Sequence, residues 1–304
     1  MTNIIFAINK MQRSKLMKII PVKMLIYVIN ALLLLLPLVS FTYNSKTPPF
    51  RIRTIVIDAG HGGKATGASG RMSTEKDVTL QVALRLGKAI ESQLNDVKVV
   101  YTRTTDIFVP NIDRPNLANK LKADLFISIH CNSMPANRII SGYRKDSRGR
   151  KVPVYETRQS TSTRGVETFV AGFGRLDEQD VAIRENADIL LEKDYKDTYG
   201  GYDPKDPESM IMFSLMKNIY REQSIKLATL MQDEYIGTGR INRGVKEQNI
   251  LILQRAGMPS ILTEIGFISN PQEEEFINSE NGQNEIVTCL LKAIQNYKRQ
   301  VELE

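Results

Sequence analysis

Histidine is scarce in this chain: 304 residues contain only two, His61 and His130. Cysteine is equally rare. Cys131 and Cys289 lie too far apart in sequence to make a disulfide framework, so two separate buried thiols are expected. No internal repeat is present. Acidic residues are missing altogether from residues 1–42, which carry Lys10, Arg13, Lys15, Lys18 and Lys23. The formal charge of +7 belongs mostly to that stretch, because setting these five aside leaves 36 basic against 34 acidic residues. No basic face remains that would recruit a polyanion, and nucleic acid is not an expected partner.

Behind the lysines, Met24–Phe41 is uncharged and rich in Leu, Ile and Val. Basic residues ahead of an apolar run mark an export signal. This run exceeds the ~7–15-residue core of a signal peptide and approaches the ~20 residues that cross a bilayer. No small-x-small cleavage site stands near Ser40-Phe41-Thr42, although a start at Met11 or Met17 would give an ordinary signal length. Residues 1–42 therefore read as a signal peptide or an uncleaved N-terminal membrane anchor. The absence of cysteine from residues 1–60 excludes a lipoprotein anchor. Residues 43–53, with Pro48-Pro49, read as a linker. The rest is expected in the periplasm or cell envelope, touching membrane only through this segment.

Ile55-Val56-Ile57-Asp58 runs into Ala59-Gly60-His61-Gly62-Gly63, a buried strand ending in a tight turn that holds an imidazole. Val78, Val82, Leu86, Ile90 and Leu94 then recur at every fourth position, predicting a helix that begins near Glu75. Thr74 with Asp77 resembles a capping box and places Glu75 in the first helical turn, pointing back toward the His61 loop. Strands are expected at Val97–Thr102 and Asp124–Ile129, the second leading into His130, with a short helix between them ending near Lys122. Further strands are expected at Gly165–Ala171, Ile250–Leu253 and Ser260–Thr263. Helices are expected at Leu176–Lys193, Met210–Tyr235 and Asn284–Arg299, and residues 142–165 read as a basic hairpin or mobile loop. This alternation predicts one α/β domain, a mostly parallel central sheet flanked by helices. Ligands in such sheets bind beyond the carboxyl ends of the strands, where both histidines fall.

Glu264 ends an otherwise apolar strand, so His61, Glu75, His130 and Glu264 map to one rim. Two neutral imidazoles and a carboxylate make a zinc ligand set with a position left for water, and a further carboxylate could move protons. On spacing alone the alternatives stay open. Either histidine could be structural, Glu75 could be a favourable charge at a helix N-terminus, and Glu264 could be a buried ion pair with Arg243 or Lys246. Asp58 is a candidate for orienting a ligand from behind.

Ile-Asp-Ala-Gly-His61-Gly-Gly, Glu75 opening its helix, Ser-Ile-His130-Cys-Asn-Ser and Thr-Glu264-Ile-Gly-Phe-Ile-Ser-Asn-Pro occur in that order. Together they closely resemble the zinc-dependent N-acetylmuramoyl-L-alanine amidases of bacterial cell wall. Thr102-Arg103 with Asp106, Arg114 with Ala118-Asn119, and Arg243-Gly-Val-Lys246 add to the match. The resemblance covers about residues 54–133 and 224–297, and more loosely 165–186. It implies one zinc ion on His61, Glu75 and His130, Glu264 as the catalytic glutamate, and peptidoglycan as substrate. The bond cut would join the lactyl group of N-acetylmuramic acid to the first L-alanine of the stem peptide. The competing functions are a turnover-deficient wall-binding module of the same fold and a zinc peptidase acting within the stem.

The expected layout is a catalytic domain at 54–299, monomeric, with an insert at about 134–224. Some relatives carry an extra helix there that covers the zinc site until an activator displaces it. The acidic stretch Leu176–Lys193, with Asp177, Glu178, Asp180, Glu185 and Asp188, is the candidate for that lid, one carboxylate taking the metal's open position. The alternative is an amphipathic helix packed elsewhere. The basic loop at 142–158 is expected to be a solvated surface rather than a site for anionic wall polymers.

Overall fold

A computed structural model describes residues 51–172, 178–203 and 219–303, together with positions 24, 26, 27, 30, 206, 208 and 209. Apart from positions 24, 26, 27 and 30, the expected leader at 1–42 lies outside the described residues, as do residues 43–50 of the linker, Leu176-Asp177 and residues 210–218. Among those described, no helix is long and apolar enough to cross a membrane.

In chain order the elements are β1 (Thr54–Ala59), α1 (Glu75–Gln93), β2 (Lys98–Tyr101), α2 (Asp113–Leu121) and β3 (Leu125–Asn132). A hairpin of β4 (Ala136–Lys145) and β5 (Lys151–Gln159) follows, then β6 (Val166–Ala171), α3 (Asp180–Asn186) with a 3-10 turn at Ala187–Leu191, and α4 (Tyr195–Thr198). The chain closes with α5 (Arg221–Gly237), β7 (Asn242–Gln248), α6 (Leu251–Gln254), β8 (Ser260–Phe267), α7 (Pro271–Asn278) and α8 (Glu280–Leu303).

Six strands form one sheet in the order β2-β1-β3-β8-β6-β7. β2, β1, β3 and β8 are mutually parallel, β6 runs antiparallel to β8, and β7 follows β6. The mostly parallel α/β sheet is thus as the sequence implies, and its reversed pair has a consequence. The starts of β6 and β7 reach the rim where β1, β3 and β8 end.

Side chains alternate across this sheet with the two-residue period of a strand. Ile55, Ile57, Ile127, Ile129 and Ile261 pack with Val82, Leu86, Leu227, Met231, Leu290 and Ile294 of α1, α5 and α8. Val56, Phe126, Leu262 and Phe169 face the other way, onto Ala118 of α2, Val181 and Ala182 of α3, and Ile252 and Leu253 of α6. Both faces are covered, which is why the strands are nearly continuous apolar runs. Cys131 and Cys289 are free and buried, as expected.

Four expectations change. Leu251–Gln254 is a short helix, and the strand of that region is Asn242–Gln248, which takes in the Arg243-Gly244-Val245-Lys246 run. A four-residue apolar run cannot distinguish a buried strand from a helical turn by periodicity. The hairpin begins at Ala136 and, among the described residues, pairs only with itself, its residues largely exposed. The expected helix at 176–193 is split, α3 giving way to a 3-10 turn at Ala187. At α1, Thr74 caps no backbone amide; its hydroxyl instead donates to Asp77 at 2.5 Å.

Candidate metal centre

β1 ends at Ala59, and the chain turns through Gly60 and His61, which adopts a left-handed φ of 59°. A β-carbon on Gly60 would lie 2.5 Å from the His130 ring, so only glycine lets the two histidines approach, with ring centroids 4.9 Å apart. Gly67 has the same role across the loop: a side chain there would meet His61 Cδ2 at 2.5 Å and Glu75 Oε2 at 2.6 Å.

Two buried arginines hold this turn from behind. Arg103 donates to the carbonyls of Ala59 (3.0 Å) and Gly60 (2.8 Å), and Arg114 to those of Ala59 (3.0 Å) and His61 (2.8 Å). Asp58 accepts from Arg114 at 2.8 Å and from the hydroxyls of Thr102 and Ser128 at 2.6 Å each. Burial pushes the Asp58 carboxyl up, but Arg114 and the two hydroxyls outweigh it and hold the group below the usual range. Asp58 therefore touches neither imidazole; it acts through Arg114 on the backbone that carries His61.

Glu75 is aimed by the backbone. Its Oε1 accepts from the Cys131 amide at 2.9 Å and its Oε2 from the Ala68 amide at 2.8 Å. The same two oxygens lie 3.0 Å from His130 Nδ1 and 3.2 Å from His61 Nε2. α3 supplies a fourth group, Glu185, whose Oε2 is 2.8 Å from His130 Nδ1 and 3.3 Å from His61 Nε2. One ligand atom from each of His61, Glu75, His130 and Glu185 lies within 4.8 Å of the others, and all four residues are buried. Behind the cluster, Asp188 sits 2.8 Å from His61 Nδ1, the carboxylate–imidazole pairing that fixes a ligating ring.

The donor set fits a metal ion. His61 Nε2 and Glu185 Oε2 are buried yet make no aligned hydrogen bond. A buried polar atom left so costs about 1–3 kcal/mol, and these two lie 3.3 Å apart among the ligand atoms of Glu75 and His130. Two imidazoles with carboxylate oxygens are ligand chemistry suited to zinc. The electrostatics agree. Burial lowers both imidazoles, yet Glu75, Asp188 and Glu185 hold His61 well above its ordinary value, and Glu185 and Glu75 lift His130 to about 10. Burial raises the two carboxylates, but His61 brings Glu75 down to about 2, and His130 with Arg184 takes Glu185 well below its usual range. The two imidazoles thus keep their protons beside two ionised carboxylates, and a divalent cation replaces those two protons without changing the net charge.

Glu264 lies in β8 opposite His130 on one side and Glu167 on the other. Its Oε1 accepts from Arg184 Nη2 at 2.9 Å, and its Oε2 is buried with no hydrogen bond. Burial, reinforced by Glu185 and Glu75, outweighs Arg184 and pushes the Glu264 carboxyl well up. Its partner is therefore neither Arg243 nor Lys246, both of which bind Glu167. Sequence reasoning missed Arg184 and Glu167. Glu167 carried the signal that marked Glu264, a lone acid in an apolar strand; Arg184 carried none beyond its place beside Glu185.

Of the five acids in the candidate lid, the structure brings Glu185 and Asp188 to the cluster. Glu178 and Asp180 instead line an adjoining cleft of about 1100 Å³, whose walls include Asn132, Glu167, Arg184 and Lys246. Asp177 lies outside the described residues. α3 separates cleft from cluster, leaving about 10 Å³ of free space at the histidines. It is pinned by Val181 and Ala182 in the apolar core, by Ala182 N donating to Gln248, and by Asn186 donating to Tyr202 and to the Asn249 carbonyl.

A sequence model of the N-acetylmuramoyl-L-alanine amidase family (Amidase_3) matches residues 55–296. The amidase AmiC of Escherichia coli O6:H1 is 31% identical over 250 residues, 80% of this chain, which spans about half (52%) of that protein's length. AmiA of E. coli K12 is 27% identical over 249 residues, 81% of this chain and 76% of its own. Among solved structures, an N-acetylmuramoyl-L-alanine amidase from Clostridium difficile 630 is 25% identical, with a TM-score of 0.55 over 82% of this chain and 97% of that one. The catalytic domain of CwlV, an amidase from Bacillus (Paenibacillus) polymyxa, matches at 25% identity and a TM-score of 0.53, over 81% of this chain and 97% of that domain. A family match running from β1 to α8 takes in every strand of the sheet and every residue of the cluster, and the chain belongs to the N-acetylmuramoyl-L-alanine amidase family.

Proposed function

We propose that this chain hydrolyses the amide between the lactyl group of N-acetylmuramic acid and the first L-alanine of the peptidoglycan stem, using one zinc ion held by His61, Glu75 and His130. The observation that supports this reading is the buried convergence of two imidazoles and carboxylates on atoms that lack aligned hydrogen bonds. When bound, the ion supplies Lewis-acid polarisation and lowers the pKa of water toward neutrality.

The chain's own residues do the rest. Backbone amides aim Glu75, Asp188 orients His61, and the two arginines fix the turn between them. Glu264 takes the proton of the attacking water and passes it to the nitrogen of L-alanine as the C–N bond breaks. The water oxygen ends on the lactyl carbonyl carbon, leaving a carboxylate and a free amine.

In this reading α3 is a lid in its closed position, with Glu185 where substrate must bind. An activator acting on the 134–224 insert would draw it away. The catalytic domain spans 54–299 behind an export signal or anchor at 1–42, and works as a monomer on wall in the periplasm or cell envelope. Mass analysis of purified wall digested by the zinc-loaded chain tests the reaction. Free stem peptides beginning with L-alanine are expected. Cleavage within the stem would identify a peptidase instead, and binding without products a wall-binding module.

A further inference from the structure

Beyond Glu264 the rim continues across the reversed strands. Glu167 of β6 is the register partner of Glu264, and β7 lies alongside β6 with Arg243 in the irregularity between the Asn242 and Val245 pairs. Arg243 Nε and Lys246 Nζ both bind the same oxygen of Glu167, while its other oxygen accepts from Asn132 Nδ2 at 2.9 Å. Two cations thus share one buried carboxylate, and one positive charge is left over. It faces the cleft: the side chains of Arg243 and Lys246 are 35% and 40% exposed, and both line the cavity. Among the described residues Arg243 commits only Nε, which leaves Nη1 and Nη2 open. Its guanidinium is held in place by the Phe267 ring, 5.2 Å away.

The other charged groups of the cleft are occupied or belong to α3. Arg184 is bound to Glu185 and Glu264, and Glu247 to Arg221. Glu178 and Asp180 lie on the α3 segment and depart with it when it moves.

We propose that Arg243 and Lys246 form a carboxylate-binding subsite that reads the free carboxylate of the stem residue following L-alanine. The inference rests on the amidase reading above. Adjacent strands are about 4.8 Å apart, so β7 lies roughly 10 Å from the strand that carries Glu264. Arg243 and Lys246 reach back over β6 toward Glu167, and one extended residue spans at most about 3.6 Å. A carboxylate one residue beyond the scissile bond therefore falls within reach of the two cations. An open guanidinium edge beside an ammonium suits an anionic carboxylate and discriminates against its neutral carboxamide.

The test uses the zinc-loaded full chain and two soluble muramoyl peptides that differ only in that group, carboxylate or carboxamide. The carboxylate form should be cleaved with kcat/KM about tenfold higher, the effect of one charge-assisted hydrogen bond. Arg243→Gln with Lys246→Gln should erase the preference through a higher KM for the acid, with kcat kept. Arg243→Lys should restore part of it. Equal cleavage of both peptides by the unaltered chain overturns the proposal, and so does an equal loss on both in the variant, which would mark a structural role in holding Glu167. If neither peptide is cleaved by the full chain or by its Glu185→Ala variant, the amidase reading is what fails. Binding of the two free stem peptides to the same chain then decides the subsite: tighter binding of the acid upholds it, and equal affinities sink it.

Discussion

Arg184 joins the lid to Glu264: its Nη2 lies 2.9 Å from Glu264 Oε1 and its Nε 2.8 Å from Glu185 Oε1. One guanidinium thus ties a carboxylate at the histidines to the proposed proton carrier, and both are buried. Both Arg184 and Glu185 lie on α3, so moving that helix clears Glu185 from the histidines and frees Glu264 from Arg184 in a single event.

Replacing Glu185 with alanine should therefore raise activity. A charge-assisted contact is worth about 1.5–3 kcal/mol, so turnover of purified wall should rise about 10- to 100-fold. Deleting residues 176–193 should have the same direction of effect. A folded, zinc-loaded variant with unchanged activity would sink the lid.

Glu264→Ala should lower kcat at least about 100-fold, the scale of one general acid–base group, while zinc content stays at one ion per chain. The substitution leaves the metal ligands in place, so elemental analysis beside the kinetics separates proton transfer from metal loss. Retained turnover would remove Glu264 from the mechanism.

Zinc affinity should be strongly pH-dependent. His61 sits well above its ordinary value and His130 at about 10, so binding at neutral pH must expel about two protons. Affinity should then fall about 100-fold for each unit of acidification, and calorimetry in buffers of different ionisation enthalpy reads the protons directly. In the zinc-free protein, raised histidines stabilise fully below about 6.5 and lose that contribution as pH rises through their folded values. Lowered Glu75 and Glu185 stabilise above about 4.5 and lose it as pH falls, for Glu75 toward about 2. The cluster's contribution should be largest between these limits, as a Tm series with chelator would show; a maximum at alkaline pH contradicts it.

Asp58→Asn should destabilise the fold by about 3–5 kcal/mol, since it leaves Arg114 buried without its counter-charge. Because Arg114 carries the His61 carbonyl, zinc affinity should fall as well. Urea unfolding with and without zinc measures both. A change below about 1 kcal/mol would show that Asp58 is not what holds the turn.

Much of this site was legible one residue at a time. His61 and His130 announced themselves by rarity and by ending apolar strands, Glu75 by opening a helix, and Glu264 as an acid in a buried strand. Their partners were not legible. Glu264 takes Arg184, 80 residues earlier in the chain, because the segment carrying Arg184 follows β6, and β6 comes beside β8 only in the folded sheet. The apolar run at Ile250–Leu253 shows the same limit at the local scale: four residues satisfy a buried strand and a helical turn equally, and packing of α6 on α2 and the sheet selected the helix.

By itself the sequence determined the alternating α/β order, the side chains that could bind a metal, and the family, because strand and helix periods and turn glycines are local properties. Only the tertiary structure decided that β6 and β7 run backwards, which brings Glu167, Arg243 and Lys246 to the rim. It alone set Glu185 rather than Glu178 or Asp180 against the histidines. Those outcomes depend on strand direction and on the angle at which α3 docks, and both are set by contacts between residues far apart in the chain.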